Sequence, residues 1–240
     1  MLSRDAQWRG AGCVTVKRSR RSIREAKIRE AVATRQQDVR RRRIPISSQV
    51  LTRGRSVLLR DRAPEDVEIY LHWMTGGEWR YFDAPWDGIR DSMDEQTTNE
   101  MREKILKVYE QAHPEPRSFA FITTLTGLPL GWVSRYSRGS QKHEWCVGVN
   151  LCEDDYLNRG LGTEALTLWV NYLFEHSEIH RLALETWSFN PRMAHVAENV
   201  GFQLEGRLRE AQLWEGRWLD KFQYGFLRHE WKRKGAEGER

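Results

Sequence analysis

The chain has 240 residues, of which 39% are hydrophobic and 30% are charged, so it is long enough to bury one good core. No stretch approaches the roughly eighteen consecutive apolar residues that a membrane-spanning helix needs, and we expect no membrane partner. The three cysteines, Cys13, Cys146 and Cys152, lack the CxxC spacing. This argues against a disulfide framework and against a metal site, and it favours a reducing, cytoplasmic location.

The net charge of +5 is distributed unevenly along the chain. Residues 1–55 carry 16 Lys and Arg against 4 Asp and Glu, whereas the remaining residues carry 23 basic and 30 acidic side chains. A segment so rich in charge cannot offset its ordering entropy by burial, so residues 1–55 are predicted to form a disordered basic extension. The acidic remainder attracts cationic ligands such as amines more readily than nucleic acid.

Several roles for the extension stay open. They are an arm that binds nucleic acid or the ribosome, a nuclear-type signal, an organellar presequence, an unstructured tail, and translated sequence upstream of the true start. Residues 56–231 are predicted to form one domain, and residues 232–240 a charged C-terminal tail.

Hydrophobic periodicity and turn residues place the elements of that domain in chain order. Strands are predicted at residues 57–60, 118–124, 130–136, 144–151, 181–187, 202–209 and 218–227, and helices at about 64–75, 94–112, 160–176 and 191–200. Their order is β-α-α-β-β-β-α-β-α-β-β. It predicts an α/β (α+β) fold with a mixed, mostly antiparallel central sheet and one βαβ crossover.

The turn from Leu157 to Ala165 is the most informative segment. Gly160 and Gly162 stand at the start of a helix that follows a strand. Such a turn leaves backbone N–H groups pointing outward at the positive end of the helix dipole, which predicts an anion site for a phosphate or diphosphate. Arg159 adds a positive charge beside it.

Two other phosphate-binding motifs do not account for this turn. The pattern Gly160-x-Gly162-x-x-Ala165 with Glu185 downstream also fits a dinucleotide fingerprint. Eight residues separate the strand from Gly160, however, and too little chain follows for a doubly wound sheet. A Walker loop is excluded because no GxxxxGK(S/T) sequence occurs.

The segment Leu157–Gly162 resembles motif A of the GNAT N-acetyltransferases, Gln/Arg-x-x-Gly-x-Gly/Ala, although Leu157 departs from the first position. Residues 190–202, NPRMAHVAENVGF, look like the Asn…Gly-Phe segment of that family. Residues 214–231 are similar to the closing hairpin of its ribosomal-protein-alanine acetyltransferase subgroup, and Leu58-Leu59-Arg60 and Trp73-Met74-Thr75 also match that subgroup.

The resemblance implies a GNAT-like fold with helices on both faces of the sheet, and acetyl-CoA as the co-substrate. It implies that the pantetheine arm lies between the strands at 144–151 and 181–187. The cofactor-binding residues implied by the resemblance are Val149, Leu151, Asn158, Arg159, Gly160, Leu161, Gly162, Thr163 and Asn190. Asn190 is also placed to act as the N-cap of the helix that begins at Pro191.

Transfer to an amine requires a neutral amine and a proton for the departing thiolate. Glu144, at the start of its strand, is the first candidate for the base, with Glu185, Asp83 and Asp87 as alternatives. Many family members carry a Tyr acid seven residues after the Asn, and here that position is Ala197. Tyr224 or water is therefore the candidate proton donor.

The sequence thus predicts an N-acetyltransferase that acts on a primary amine of a small molecule, an amino sugar or a protein N-terminus. An RNA- or ribosome-associated protein and a degenerate acyl-CoA-binding module remain alternatives. The sequence leaves open whether the protein forms a homodimer.

Overall fold

The computed structural model describes residues 48–87, 92–111, 113–139 and 142–231. The predictions for most of the basic extension, including a nucleic-acid-binding arm, and for the tail at 232–240 lie outside these residues. None of the helices in the described part of the chain combines the length and apolar character needed to span a bilayer.

The described residues form one eight-stranded sheet with helices between its strands. The strands are β1 (Val50–Arg53), β2 (Val57–Arg60), β3 (Phe119–Thr124), β4 (Pro129–Tyr136), β5 (Glu144–Leu151), β6 (Arg181–Trp187), β7 (Gln203–Trp214) and β8 (Arg217–Leu227). The helices are α1 (Val67–Thr75), α2 (Glu95–Tyr109), α3 (Leu161–Glu175) and α4 (Pro191–Val200), with short 3-10 turns at Pro64–Asp66, Glu78–Tyr81, Pro85–Asp87 and Asp154–Tyr156.

The strand order is β1-β2-β3-β4-β5-β6-β8-β7, and neighbouring strands run antiparallel except β5 and β6. Helix α3 connects that parallel pair, which confirms the predicted βαβ crossover. The predicted α/β class, with its mixed and mostly antiparallel sheet, is therefore confirmed.

Helices cover both faces of the sheet because side chains alternate along each strand. On one face Leu59, Ile122 and Val133 pack with the apolar residues of α3 and α4 into the main core. On the other face the rings of Phe121 and Trp132 pack against Trp73 of α1, at centroid distances of 5.7 and 5.9 Å.

The structure corrects two predicted boundaries. Residues 50–53, assigned to the disordered extension, form β1 and pair antiparallel with β2, so the ordered domain begins before residue 56. The closing hairpin is longer than predicted on both strands. Its β7 strand bends at a register shift, where the Asp220 carboxylate accepts hydrogen bonds from Glu210 N at 2.8 Å and Arg207 Nε at 2.6 Å.

A buried ion pair fixes the connection from β2 to α1. Both amino groups of the Arg60 guanidinium donate to the Asp66 carboxylate, at 2.7 and 2.6 Å, and the two side chains are 1% and 0% exposed. Asp66 also accepts from Ala63 N at 2.8 Å. Removing one partner of such a pair strands a charge in the core, which is far more costly than losing an exposed pair.

We therefore expect Arg60→Met to lower the free energy of unfolding by about 3–5 kcal/mol. Arg102→Met is the matched control, because Arg102 and Glu68 form a solvent-exposed pair with 32% and 55% exposed side chains. It should cost less than about 1 kcal/mol. Urea denaturation measures both, and equal losses would contradict the importance of the buried pair.

Candidate functional site

A cleft opens in the middle of the sheet where β5 and β6 separate. The two strands pair only from Glu144 to Cys146 on β5 and from Arg181 to Ala183 on β6. Beyond these residues β5 stays paired with β4, and β6 with β8. No strand among the described residues covers the two facing edges, so their backbone groups can bind an extended ligand in the manner of an added strand.

The turn before α3 lies beside this cleft. Gly160 is the N-cap with φ of 77°, and Asn158 also has a positive φ of 59°. Gly160 offers no side chain to cap the first amides of α3, which have no acceptor within the helix. A Cβ at Gly160 would meet no atom within 4 Å, and Gly160 to Thr163 line a cavity, so the turn is accessible to an anion.

Gly162 has a different requirement from Gly160. A Cβ at Gly162 would come to 3.5 Å from Leu151 Cδ1, an ordinary contact. The structure therefore requires glycine at the first of the two positions by backbone conformation and tolerates alanine at the second.

A cavity of about 730 Å³ joins the turn to the cleft. Eight of the nine predicted cofactor residues line it: Val149, Leu151, Asn158, Gly160, Leu161, Gly162, Thr163 and Asn190. Arg159 does not line it, because its guanidinium lies over the ring of Tyr156, 5.3 Å from the centroid. The sequence prediction thus identified residues that the fold brings together from three separate segments.

Asn190 makes two contacts with its side-chain amide. Its Oδ1 accepts from Met193 N at 3.1 Å, which confirms the predicted N-cap. Its Nδ2 donates to the backbone oxygen of Phe82 at 3.3 Å. The second contact, to a residue more than one hundred positions away, has no signal in the sequence.

The structure does not bring the two predicted catalytic side chains to the cavity. Glu144 sits where β5 and β6 are still paired, and its Oε2 lies 2.6 Å from Arg181 Nε. Tyr224 is 2% exposed, and its hydroxyl donates to Glu198 Oε1 at 3.3 Å. Neither residue lines the cavity, because each side chain is directed to a partner elsewhere in the sheet or in α4.

Two other carboxylates, Asp83 and Glu185, do line the cavity, and Glu185 is held in a cationic surrounding. Its Oε2 lies 2.6 Å from Lys221 Nζ and 2.7 Å from Arg138 Nη2, and Gln223 Nε2 donates to Oε1 at 3.0 Å. Burial acts to raise the pKa of Glu185, but these hydrogen bonds outweigh it and hold the pKa below its usual range. Glu185 is therefore a carboxylate at neutral pH.

The cavity walls around these acids are largely aromatic. Trp132 and Tyr136 come from β4, Trp187 from β6, and Trp79 and Phe82 from the segment after α1. Burial raises the pKa of the Tyr136 phenol, with smaller effects from neighbouring groups, so it keeps its proton at neutral pH. Because side chains alternate along a strand, Trp132 and Tyr136 could have been predicted from the sequence to lie on the same face of β4. No pattern in the sequence links Arg138 to Glu185.

Within the described residues, no group of three or more His, Cys, Asp or Glu side chains is arranged to hold a metal ion. The cavity thus offers backbone amides at one end and aromatic and carboxylate side chains at the other. Such an arrangement suits a phosphate-bearing cofactor and an amine.

Comparison with known proteins agrees with this geometry. Residues 56–203 match the model of the acetyltransferase (GNAT) domain. The chain is 22% identical over 181 residues to YdaF of Bacillus subtilis (strain 168), a proposed ribosomal N-acetyltransferase, covering 73% of this chain and 93% of that protein. It is 26% identical over 147 residues to the ribosomal protein uS5-alanine N-acetyltransferase of Escherichia coli (strain K12), covering 60% of this chain and 74% of that protein.

Solved structures share the fold at lower sequence identity. The chain is similar to the ribosomal L7/L12 alpha-N-protein acetyltransferase RimL, with a TM-score of 0.58, 15% identity and coverage of 75% of this chain and 98% of that one. The spermidine N-acetyltransferase of Vibrio cholerae gives a TM-score of 0.58 at 16% identity, covering 73% and 98%. The family model spans more than half of the chain, and the protein therefore belongs to the GNAT family of N-acetyltransferases.

Proposed function

We propose that this N-acetyltransferase transfers the acetyl group of acetyl-CoA to the α-amine of a protein or peptide N-terminus. One observation carries the proposal. A single cavity connects the uncapped first amides of α3, the unpaired edges of β5 and β6, and the ionised carboxylate of Glu185 among aromatic rings. The first two features fit the cofactor, and the third fits the amine.

The cofactor-binding part of the proposal rests on backbone groups. The amides of Leu161, Gly162 and Thr163 would hold the diphosphate, and the edge at Val149 and Leu151 would hold the pantetheine arm. Acetyl-CoA supplies the activated acetyl group when bound. The residues of this chain bind and orient the two substrates, exclude water from the cleft and receive the acceptor.

Glu185 replaces Glu144 in our proposal as the carboxylate that meets the acceptor. The pKa of Glu185 lies below its usual range because Lys221 and Arg138 already pair with the carboxylate. Such a carboxylate is a weak base, since an efficient base has a pKa near the working pH, but its oxygens can still accept a hydrogen bond from the neutral amine. We therefore assign Glu185 the role of orienting the amine. Tyr136, which keeps its proton, is placed to donate a hydrogen bond into the same chamber.

A weak base favours acceptors that lose their proton readily. An α-amine with a pKa near 8 is neutral in roughly one molecule in ten at pH 7, whereas a lysine amine with a pKa near 10.4 is neutral in about one in a few thousand. A site without a strong base therefore selects α-amines over lysine side chains and polyamines.

The relatives support an amine acceptor of this kind. By its name, the E. coli relative acetylates an alanine of ribosomal protein uS5, and RimL is an alpha-N-protein acetyltransferase determined with coenzyme A. The Vibrio cholerae structure contains CoA and spermine, which makes polyamines the alternative acceptor to test. Cys146 and Cys152 are free and buried, in keeping with the cytoplasmic location that we propose.

The cofactor site is tested by Gly160→Asp. The new carboxylate would stand in the open space before the α3 amides and repel a diphosphate, so we expect the Kd for CoA, measured by calorimetry, to rise at least tenfold. Gly216→Asp is the matched control: Gly216 has a φ of 75° and open space at its Cβ, but it lies in the β7–β8 turn. Equal CoA affinity in both variants would contradict the site.

The amine proposal is tested by a pH profile. The kcat/KM should rise with pH up to the pKa of the acceptor itself and then level off, because Glu185 is already ionised well below neutral pH. Two N-terminal peptides whose α-amines differ by about one pKa unit should give profiles displaced by that unit. If kcat/KM instead levels off at the same pH for both peptides, a titrating group of the enzyme acts as the base.

The role of Glu185 is tested by comparing Glu185→Gln with Glu144→Gln. The first removes the negative charge between Arg138 and Lys221 and should raise the KM for the acceptor roughly tenfold, the scale of one charged hydrogen bond. The second alters a carboxylate that contacts Arg181 outside the cavity and should leave that KM unchanged. Initial-rate measurements at saturating acetyl-CoA distinguish the two variants, and the reverse ranking would restore Glu144 as the candidate base.

A further inference from the structure

The segment from Gly76 to Asp87, here named the acceptor loop, covers the aromatic end of the cavity. It contains the 3-10 turns at Glu78–Tyr81 and Pro85–Asp87, and its residues Trp79, Phe82 and Asp83 line the cavity. Its position therefore sets the shape of the chamber that receives the amine.

One side of the acceptor loop is fixed near the turn that precedes α3. Glu78 N donates to Asp154 Oδ1 at 2.9 Å, and Trp79 Nε1 donates to the backbone oxygen of Trp73 at 3.2 Å. These contacts hold the start of the loop to the Asp154–Tyr156 turn and to α1.

The other side of the loop rests on the segment that joins β6 to α4. Asn190 Nδ2 donates to Phe82 O at 3.3 Å. The Arg192 guanidinium lies 4.2 Å from the centroid of the Phe82 ring, and its Nη2 lies 3.2 Å from Glu78 Oε2. The Phe82 ring also stacks on Phe189 at 6.2 Å.

A second ring contact extends this support toward the end of the loop. Trp86 meets Trp187 edge to face, with centroids 4.6 Å apart. The last residue of β6 and the first turn of α4 therefore form a platform on which the middle and end of the acceptor loop lie.

From these contacts we infer that Asn190 and Arg192 are positioning residues for the acceptor loop, and that they govern the binding of the acceptor. The inference rests on the proposed function for its kinetic readout. The Asn190 amide is already engaged on both atoms, its Oδ1 with Met193 N and its Nδ2 with Phe82 O, so its side chain joins α4 to the loop. Arg192 holds the same loop through the Phe82 ring and Glu78.

Asn190→Asp removes one of the two side-chain hydrogen bonds of Asn190 and keeps the other. Aspartate caps a helix as well as asparagine does, so α4 keeps its first turn, while the donor to Phe82 O is lost. Arg192→Met keeps the apolar stem and removes the charge that contacts the Phe82 ring and Glu78. Each variant should raise the KM for an N-terminal peptide roughly tenfold. Arg192→Met should also leave the calorimetric Kd for CoA within about twofold, because the cofactor amides are untouched. Asn190 itself lines the cofactor cavity, so for Asn190→Asp the deciding measurement is the position of the loop.

The matched control is Arg62→Met. Arg62 also lies over an aromatic ring, 5.4 Å from the Tyr109 centroid, and does not line the cavity. Arg62→Met should change neither the KM for the acceptor nor the Kd for CoA. Phe82→Ala combined with Arg192→Met should cost less than the sum of the two single changes, since both remove the same contact.

Limited trypsin digestion measures how accessible the acceptor loop is and does not depend on acetyl transfer. Asn190→Asp and Arg192→Met should each accelerate cleavage after Arg80 in the absence of substrates, with unchanged cleavage at the other lysines and arginines that the variants share with the wild type. If no amine is acetylated by the wild-type enzyme, the proposed function fails while this digestion still tests the inference. Unchanged cleavage at Arg80 in both variants, or a loss of CoA affinity in Arg192→Met as large as its rise in acceptor KM, would overturn it.

Discussion

Parallel strands normally continue their hydrogen bonds along their shared length, yet β5 and β6 pair over three residues each and then diverge. Backbone N–H and C=O groups left without partners are costly when water is excluded, so the divergence has to be held open by the rest of the fold. Strand β4 fixes β5 as far as Leu151, and β8 fixes β6 as far as Trp187. The rest of the fold therefore holds the cleft open, and in our proposal an extended cofactor arm would satisfy the backbone groups that the sheet leaves without partners.

The cleft between β5 and β6 has one end where the strands are still paired and another that opens into the cavity, and charged side chains occupy both. At the paired end Arg181 bridges Glu144 and Glu205, which ties β5, β6 and the edge strand together. Further along β6, Glu185 reaches the cavity and is balanced by Arg138 and Lys221. The two glutamates therefore lie in different surroundings, because Glu144 contacts a structural arginine and Glu185 lines the cavity.

The sequence was most informative where structure is decided locally. Gly160 and Gly162 could be assigned because a glycine turn before a helix creates an anion site from neighbouring residues alone, and Asn190 could be assigned as an N-cap for the same reason. The partners of Glu144, Tyr224 and Glu185 come from segments that are distant in the chain, and no local pattern encodes them. Strand β1 was missed because its four residues gain their partner only when β2 lies beside them.

The central claim is that backbone amides on β5 and at the start of α3 bind coenzyme A. Hydrogen–deuterium exchange on the full chain, with and without CoA, measures those amides directly. The account predicts slower exchange on CoA binding at Val149 to Leu151 and at Leu161 to Thr163, with little change in β1 and β2. Unchanged exchange at these amides under saturating CoA, or protection confined to another surface, would contradict it.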